Sequence, residues 1–320
     1  MVGKICGTGS YVPENYYDNH DIAKLVDTSD EWIRERTGIV RRHIVKDDTT
    51  VSMAVKAAKA ALENGAVKAE ELDLILVATI TPNHITPGMA CEVQKELGAV
   101  NAAGFDMSAA CSGFVFAYNT AQAYIAAGVC KTVLIIGSES LSNIVNWEDR
   151  GSCILFGDGA GAAVIRAEDG EIKPCVMHSD GVKGEVLACE SRHQRDWQKK
   201  EEAKETFLSM DGKEVFKFAV KKVPEVITEL LEKTEYTAED MDWFILHQAN
   251  QRIIESVAKR MKVDIDKFPM NISEYGNTSS ASIPILLDEM NRSGKLKKGQ
   301  KLILAGFGAG LSWGATLVEW

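Results

Sequence analysis

The feature of this sequence that most constrains its fold is an internal repeat at a spacing of 169 residues. Residues 69–76 (AEELDLIL) resemble residues 238–245 (AEDMDWFI), and residues 133–137 (VLIIG) resemble residues 302–306 (LILAG). In each half a helical segment precedes the acidic stretch, and glycine-bearing strands close the half. The repeat therefore predicts two copies of one β/α unit.

The two copies are expected to form an α/β fold of stacked layers. Continuous apolar runs at 74–79 and 132–137 predict buried strands. Because helices pack on sheets through their apolar faces, the copies should share a central helical layer, in the order helix–sheet–helix–sheet–helix. We expect the first copy to span residues 1–170 and the second to span residues 171–320.

Two further stretches bear on the organisation of the chain. Residues 157–161 (GDGAG) are followed at once by strand-like residues and lack both the GxGxxG and the GK[ST] pattern. We interpret them as a hairpin or a tight approach between backbones, and not as a phosphate loop. Residues 184–206 are polar and charged, which predicts an insertion on the surface.

Composition narrows the class of partner and compartment. The 320 residues include 36 basic and 46 acidic side chains, a net charge of −10, which argues against nucleic acid as the main partner. No apolar run approaches the ~18–20 residues of a membrane span, and the N-terminus enters a strand-like segment directly. The seven cysteines are scattered without a CxxC pair, so we expect neither zinc nor a disulfide framework, and a cytoplasmic location.

Cys111 is the first candidate functional residue, because it lies where an apolar strand turns into a helix of small residues. A thiol at a helix N-terminus is close to unpaired backbone N–H groups and to the positive end of the helix dipole, which favour the thiolate. Small neighbours leave room for a substrate to approach the sulfur. The residues alone leave open whether Cys111 is a nucleophile or a buried structural cysteine.

Two polar residues of the second half complete the candidate site. His247 follows an apolar strand, and Asn277 lies in a strand-to-helix loop in the region that matches Cys111. Taken singly, they are also typical of a core histidine and of a turn or capping asparagine. If a pseudo-twofold axis relates the halves, the ends of the central strands converge, and Cys111, His247 and Asn277 should face one cavity.

A thiol, an imidazole and an amide in one cavity suit decarboxylative condensation. The thiolate would attack an acyl thioester and hold the acyl group, while the imidazole and the amide donate hydrogen bonds to a second thioester carbonyl. Those bonds would stabilise the enolate formed when a malonyl group loses carbon dioxide. Backbone N–H groups at Cys111 and at Gly308 and Ala309 of a glycine-rich loop could hold the oxyanion. No metal is expected, and asparagine argues against a hydrolase-type base relay.

Six motifs, in this order and at this chain length, resemble those of the β-ketoacyl-[acyl-carrier-protein] synthase III family of thiolase-fold condensing enzymes. The motifs are residues 30–39 (DEWIRERTGI), 109–114 (AACSGF), 156–162 (FGDGAGA), 247–250 (HQAN), 276–279 (GNTS) and 306–314 (GFGAGLSWG). The resemblance covers essentially the whole chain. It implies a thiolase-like fold and a homodimer with a narrow tunnel to Cys111.

The resemblance also implies the reaction. An acyltransferase of this family would condense a short acyl-CoA primer, acetyl-CoA or a somewhat larger or branched acyl-CoA, with malonyl-[acyl carrier protein] (malonyl-ACP). The products would be β-ketoacyl-ACP, CO2 and CoA, formed through an acyl-cysteine at the start of type II fatty acid biosynthesis. Coenzyme A thioesters are substrates here, so no separate cofactor is expected.

The family pattern implies roles for residues that would bind coenzyme A and the malonyl group. Trp32 would stack on the adenine, Arg36 and Arg150 would meet phosphates, and Arg252 would lie at the tunnel mouth. Phe307 would help to position the malonyl group. From the residues alone, a tryptophan flanked by arginines is equally typical of an amphipathic helix end or of a nucleotide-stacking site.

A second group of residues would contact the acyl carrier protein. Basic side chains on one helix face of an acidic protein would steer an acidic carrier towards it, although a solvated helix face is the ordinary interpretation of such charges. The expected contacts are Gln248, Ala249, Asn250, Gln251, Arg252, Lys259 and Arg260.

Thr86 bears on the choice of primer, because family members restricted to acetyl primers often carry phenylalanine there. A smaller residue predicts a larger acyl pocket and tolerance of longer or branched primers. Two other functions stay open from the sequence. One is a related enzyme that uses the same three residues to make a polyketide, quinolone or other β-keto product, and the other is a non-catalytic scaffold.

Overall fold

The structure, a computed structural model, describes residues 1–190 and 206–320. The expected surface insertion at 184–206 therefore lies mostly outside the described residues. Within the described ranges, no helix is long and apolar enough to cross a membrane.

The first half alternates strands and helices as the apolar pattern predicts. Its elements are β1 (Val2–Tyr11), β2 (Tyr16–Asp18), α1 (Asn19–Ile22), α2 (Asp30–Thr37), β3 (Arg41–His43), α3 (Thr50–Asn64), β4 (Leu74–Ala78), α4 (Met89–Leu97), β5 (Ala103–Met107), α5 (Gly113–Ala126), β6 (Thr132–Glu139) and β7 (Gly159–Glu168).

The second half follows the same pattern with fewer strands in its main sheet. Its elements are β8 (Cys175–Ser179), β9 (Leu187–Ala188), β10 (Ser209–Met210), α6 (Gly212–Leu231), β11 (Trp243–Leu246), α7 (Gln251–Met261), α8 (Ile272–Tyr275), α9 (Ser282–Arg292), β12 (Lys301–Gly308) and β13 (Ser312–Glu319).

Two main sheets result, one from each half. The first has the strand order β1-β7-β6-β4-β5 and the second has the order β11-β12-β13-β8. In both, a parallel pair (β4 with β6, β11 with β12) continues into an antiparallel neighbour (β7, β13). The predicted division at residue 170 falls between the last strand of the first sheet and the first strand of the second, and it stays a prediction.

Alternation along the central strands produces the layers. Leu74 and Leu76 of β4 join the core between the sheets, where α5 and α9 lie, whereas Ile75 and Val77 face α3 and α4. The strands of the second sheet divide in the same way between the shared core and the layer of α6 and α7. The order helix–sheet–helix–sheet–helix is therefore confirmed, and so is the α/β class.

The spacing of 169 residues recurs in the secondary structure. It separates the first residues of β4 and β11, of α5 and α9, and of β6 and β12. It also separates two 3₁₀ turns, Ala110–Ser112 and Ser279–Ala281, which we name the cysteine turn and the serine turn. The repeat seen in the sequence is thus a repeat of structure.

Each turn packs against the central strand of the other half. A Cβ atom on Gly306 of β12 would lie 3.0 Å from the Cα atom of Ser112, in the cysteine turn. A Cβ atom on Gly137 of β6 would lie 2.3 Å from the carbonyl oxygen of Ser280, in the serine turn. The two glycines are themselves 169 residues apart, so crossed packing joins the halves and brings their turns together.

The glycine-rich stretch 157–161 is a close approach, as expected, and not a phosphate loop. A Cβ atom on Gly157 would lie 2.3 Å from the carbonyl oxygen of Tyr275, and one on Gly161 would lie 2.7 Å from the backbone nitrogen of Ile285. Backbone contact with the second half, at the loop that carries Asn277 and at the start of α9, therefore requires glycine here.

Candidate active site

Cys111 lies in the cysteine turn, directly before α5, with 8% of its surface exposed. The turn begins at Ala110, whose φ of 45° is in the left-handed region that residues with a side chain seldom adopt. Gly308 packs on the cysteine, since a Cβ atom there would lie 2.9 Å from both the Cβ atom and the backbone nitrogen of Cys111. The expected position of the thiol between strand and helix is observed.

The expectation of a resting thiolate is wrong. Burial raises the pKa of Cys111 to about 12, although a hydrogen bond to the side chain of Ser279 opposes the shift. The helix N-terminus does not offset the loss of water around a fully enclosed sulfur. The resting group is therefore a thiol.

His247 follows β11 and is held from behind by α9. Its Nδ1 atom lies 2.7 Å from the Oγ atom of Ser282, and this oxygen also accepts the N–H of Gln248 at 3.3 Å. Ser282 can then donate its own proton to Nδ1, which favours the tautomer with the ring hydrogen on Nε2. Burial lowers the pKa of His247 to about 3, so the imidazole is neutral and suited to donate a hydrogen bond.

Asn277 is fixed by its backbone and by its amide oxygen. Its N–H donates to the carbonyl of Leu155 at 2.8 Å, and its carbonyl accepts the N–H of Gly157 at 3.0 Å. The Oδ1 atom accepts the N–H of Ser279 at 2.9 Å, which only an oxygen can do. The Nδ2 group is thereby left to donate to a ligand.

One cavity of about 180 Å³ brings the predicted triad together. Cys111, His247 and Asn277 line it, as do Gly308 and Ala309 of the predicted oxyanion loop. Phe307 lines it too, and its ring stands edge-on to the imidazole of His247 with the centroids 5.2 Å apart. Most of the remaining wall is apolar and includes Leu141, Leu155, Leu187, Leu208 and Phe216.

The aromatic and basic residues predicted to bind coenzyme A form a cluster. The guanidinium carbons of Arg36 and Arg150 lie 4.4 Å and 5.0 Å from the ring centroid of Trp32. Asn250, which lines the cavity, donates to the carbonyl of Arg36 at 2.9 Å. Arg252 lies with its guanidinium carbon 5.7 Å from the ring of Phe216, a residue of the cavity wall. The cluster thus adjoins the cavity.

The residues predicted to contact the carrier differ in exposure: three are exposed, three are partly buried and one is buried. Arg252, Lys259 and Arg260 are exposed on α7 and form a basic surface. Ala249, Asn250 and Gln251 are partly buried, with Asn250 capping α7 through its bond to the N–H of Arg252.

The prediction that Gln248 contacts the carrier is wrong, because this residue is only 1% exposed. Its amide nitrogen donates to the carbonyl of Leu246 at 2.8 Å, and its amide oxygen accepts the N–H of Asn271 at 3.2 Å. The side chain therefore satisfies the backbone of its own half and cannot touch a carrier.

Thr86 does not line the cavity of the single chain. It is exposed on the loop between β4 and α4. The end of this loop is tied to β5, since the carboxylate of Asp106 accepts the N–H groups of Met89 and Ala90 at 2.6 and 2.7 Å.

Three residues at the site were missed in the sequence. Ser282 orients His247, Ser279 lines the cavity and donates its N–H to Asn277, and Glu139 lies fully buried behind Ser279. The signals were a serine-rich run at 279–282 and an acidic residue at the end of an otherwise apolar strand. Within the described ranges, no group of three or more histidine, cysteine or acidic side chains could hold a metal ion.

Comparison with known proteins identifies the family. The family models "3-Oxoacyl-[acyl-carrier-protein (ACP)] synthase III" and its C-terminal counterpart match residues 105–181 and 231–320. The β-ketoacyl-[acyl-carrier-protein] synthase III of Clostridium novyi is 51% identical over 319 residues, which cover 99% of this chain and 98% of that protein. The chain belongs to the β-ketoacyl-[acyl-carrier-protein] synthase III family.

Solved structures of relatives agree with this assignment. The 3-oxoacyl-[acyl-carrier-protein] synthase III of Aquifex aeolicus is 44% identical with a TM-score of 0.92, covering 99% of this chain and 100% of its own. The priming β-ketosynthase of the R1128 polyketide pathway is 37% identical with a TM-score of 0.94, covering 100% and 96%. The predicted thiolase-like fold is confirmed. So is the prediction of a condensing acyltransferase that initiates fatty acid biosynthesis.

Proposed function

We propose that the enzyme transfers a short acyl group from an acyl-CoA primer to Cys111 and then condenses it with malonyl-ACP. The products are β-ketoacyl-ACP, CO2 and CoA. The observation that carries this proposal is the single cavity lined by Cys111, His247 and Asn277. The chemistry calls for no cofactor beyond the coenzyme A thioester, which is itself the substrate.

The geometry supports a division of labour between the two half-reactions. In acylation, the sulfur attacks the thioester carbonyl, and backbone N–H groups of Cys111 and of Gly308, which packs against it, stabilise the oxyanion. In condensation, neutral His247 and the amide nitrogen of Asn277 donate to the malonyl thioester carbonyl. They stabilise the enolate that forms when the malonyl group loses CO2 and that then attacks the acyl-cysteine.

The two substrates reach the cavity from the same side in this proposal. Trp32, Arg36 and Arg150 hold the nucleotide end of coenzyme A, because their cluster adjoins the cavity through Asn250. The basic surface of Arg252, Lys259 and Arg260 attracts the acidic carrier on a chain of net charge −10.

We further propose that two copies pair through β5. In the described chain, this edge strand pairs only with β4, so its other edge is free. Ile85, Val100 and Phe105, large apolar side chains on or near this edge, are exposed. Light scattering should give the mass of a dimer, and Phe105→Asp should shift it towards the 35.0 kDa chain.

A second copy at this edge would also explain how Thr86 influences the primer, since its loop is tied to β5. We propose tolerance of primers longer or more branched than acetyl. The ratio of kcat/KM among acetyl-, isobutyryl- and hexanoyl-CoA tests this, and a steep preference for acetyl-CoA would contradict it.

The cytoplasm is the proposed compartment, because all seven cysteines are free thiols and three of them are exposed.

A second candidate function is the priming step of a polyketide pathway. The likeness to the R1128 priming β-ketosynthase favours it, since that structure has the higher TM-score of the two compared above. Condensation rates with malonyl groups on a fatty-acid carrier and on a polyketide carrier would separate the two functions.

The decisive experiment follows both half-reactions in one sample. Incubation with acetyl-CoA alone should give an acetyl adduct that peptide mass spectrometry maps to Cys111. Adding malonyl-ACP should discharge the adduct and release one CO2 for each β-ketoacyl-ACP. A different acylated residue, or product without any adduct, would overturn the proposal.

A further inference from the structure

A buried arginine lies next to the active site and has no part in the function proposed above. Arg42 belongs to β3 and is 0% exposed. Its guanidinium donates to three neutral oxygens, the carbonyls of Tyr17 and Ile154 and the amide oxygen of Asn19, and no carboxylate among the described residues pairs with it. Burial lowers the pKa of Arg42 to about 10, so the group keeps its charge at pH 7. A buried charge held only by neutral acceptors is costly, so its contacts indicate what it does.

One contact of Arg42 reaches the helix that carries two of the predicted coenzyme A residues. The guanidinium donates to the Oδ1 atom of Asn19, itself fully buried, at 3.0 Å. Because a guanidinium can only donate, it fixes the amide of Asn19 with the nitrogen facing the other way. That nitrogen donates to the carboxylate of Asp30 at 2.9 Å and to the carbonyl of Ile39 at 2.8 Å. Asp30 begins α2 and Ile39 follows its C-cap, so Asn19 ties together both ends of this helix.

A second contact of Arg42 reaches the segment that holds Asn277. The guanidinium donates to the carbonyl of Ile154 at 2.7 Å. Ile154 directly precedes Leu155, whose carbonyl accepts the N–H of Asn277 at 2.8 Å. The stem of the arginine packs at the same place, since a Cβ atom on Gly276, directly before Asn277, would lie 3.4 Å from the Cβ atom of Arg42. Arg42 therefore supports the backbone that fixes Asn277.

The two contacts together require the shape of an arginine. Its planar guanidinium has two terminal nitrogens, and here Nη1 faces Asn19 while Nη2 faces Ile154. The ammonium group of a lysine is a single point and cannot occupy both places. An aliphatic side chain would fill the space but leave both buried oxygens without this donor, which is unfavourable.

We propose that Arg42 is a positioning residue that serves both half-reactions. Through Asn19 it holds α2 in the orientation in which the side chains of this helix bind the nucleotide end of coenzyme A. Through Ile154 it holds Asn277 where the amide can donate to the malonyl thioester. The inference rests on the function proposed above, which gives α2 and Asn277 these roles.

The first test removes the Asn19 contact alone, with Asn19→Ala. Single-turnover acylation of Cys111 is measured with acetyl-CoA and with acetyl-pantetheine, a thioester that lacks the nucleotide. The apparent affinity for acetyl-CoA should fall about fivefold, because α2 is no longer held in its binding orientation. Acylation by acetyl-pantetheine and decarboxylation of malonyl-ACP should stay within about twofold of the wild type, since neither depends on this contact.

The second test removes both contacts, with Arg42→Met. This variant should show the loss of acetyl-CoA affinity expected for Asn19→Ala. In addition, kcat for decarboxylation of malonyl-ACP should fall about 10- to 100-fold, the effect of a donor displaced by about 1 Å, with a much smaller change in KM. Acylation by saturating acetyl-pantetheine should stay within about twofold of the wild type, because Asn277 takes no part in it.

Two further variants serve as controls. Arg41→Met removes the neighbouring arginine of β3, which is partly exposed and pairs with Glu274 at 3.0 Å, and it should keep the wild-type values within about twofold. Arg42→Lys keeps the charge but not the planar fork, so it should show at least one of the two effects. If Arg42→Met does not fold, Arg42→Lys and Asn19→Ala still carry the test.

The outcomes separate this inference from the function on which it rests. If the wild type forms no adduct on Cys111, the proposed function fails and the inference fails with it. If the wild type forms the adduct and releases CO2, but Arg42→Lys keeps both the acetyl-CoA affinity and the decarboxylation rate, the inference alone is wrong. Equal losses with acetyl-CoA, acetyl-pantetheine and malonyl-ACP would also overturn it, because they indicate a loss of folded enzyme. The same holds if Arg41→Met matches Arg42→Met.

Discussion

The cysteine turn and the serine turn share a backbone conformation but carry different side chains at equivalent positions. Each begins with a residue of positive φ, 45° at Ala110 and 51° at Ser279, and each packs on a glycine of the other half. At equivalent positions, however, one turn carries the thiol of Cys111 and the other carries the hydroxyl of Ser280. The same conformation thus carries a thiol in one copy and a hydroxyl in the other.

The difference shows what the duplication supplies and what it does not. The repeated backbone brings the ends of two central strands to one place. In the proposed mechanism the side chains then specialise: the first half offers the atom that forms a covalent bond, and the second offers donors for the carbonyl of the other substrate. His247 and Asn277 have the small residues Ala78 and Ser108 at the equivalent positions of the first half.

The largest expected effect comes from making the two turns alike. Cys111→Ser gives the cysteine turn the same type of side chain that the serine turn carries at Ser280. It should reduce acyl transfer at least about 1,000-fold, because a hydroxyl is a far weaker nucleophile than a thiol. Mass spectrometry after acetyl-CoA incubation measures it. Decarboxylation of malonyl-ACP serves as the control and should persist, since its donors lie in the other half.

Removing a hydrogen-bond donor of the second half should instead lower decarboxylation and leave acylation unaffected. His247→Ala or Asn277→Ala should lower decarboxylation about 100- to 1,000-fold, the usual cost of one oxyanion-hole donor. Acylation of Cys111 should continue. Release of labelled CO2 and the acyl adduct are measured on the same samples, and a parallel loss of both activities would show that the halves do not divide the work.

Substituting Gly137 or Gly306, the two glycines that pack on the turns, should have a weaker effect on the protein. Gly137→Ala places a Cβ atom 2.3 Å from the carbonyl oxygen of Ser280, whereas Gly306→Ala leaves 3.0 Å to the Cα atom of Ser112. We expect both to lower the free energy of unfolding by about 1–3 kcal/mol, with Gly137→Ala the more harmful. Urea unfolding measures the difference, and equal values would mean that the two contacts adjust alike.

The smallest effect is a pH dependence of stability. Burial lowers the pKa of His247 to about 3 from 6.5, so the folded chain keeps the imidazole neutral while the unfolded chain binds a proton. The folded state should therefore lose stability as the pH falls from about 6.5 towards 3. Comparing unfolding at pH 7.5 and pH 5 should show a greater loss in the wild type than in His247→Gln, and equal losses would contradict the buried neutral form.

Much of the fold could be predicted because local sequence encodes it. The strand expected at 74–79 is β4, with all five residues buried. The break between α1 and α2 is a feature that local sequence does not encode. The side chain of Asn19 binds the carbonyl of Ile39 and the carboxylate of Asp30, a tertiary arrangement that periodicity does not report.

The site was predictable only where a motif marked it. The convergence of Cys111, His247 and Asn277 followed from the repeat, whereas the protonation state of the thiol did not, because it depends on burial. The prediction for Gln248 was wrong for the same reason, since its burial, and its bond with the N–H of Asn271, come from the folded chain. Glu139 was not predicted, because an acidic residue at the end of a strand looks the same in the sequence whether it is exposed to water or buried. In the structure five hydrogen-bond donors surround its carboxylate.

The placement of the thiols has a consequence for chemical probes. Cys91, Cys175 and Cys189 are exposed, whereas Cys111 is buried in the wall of a largely apolar cavity. Bulky maleimides will therefore label the outside of the protein and leave the enzyme active. A covalent inhibitor of Cys111 must be slim and uncharged at its reactive end. Fluorophores can be attached at the three exposed cysteines, and Cys111 need not be blocked first.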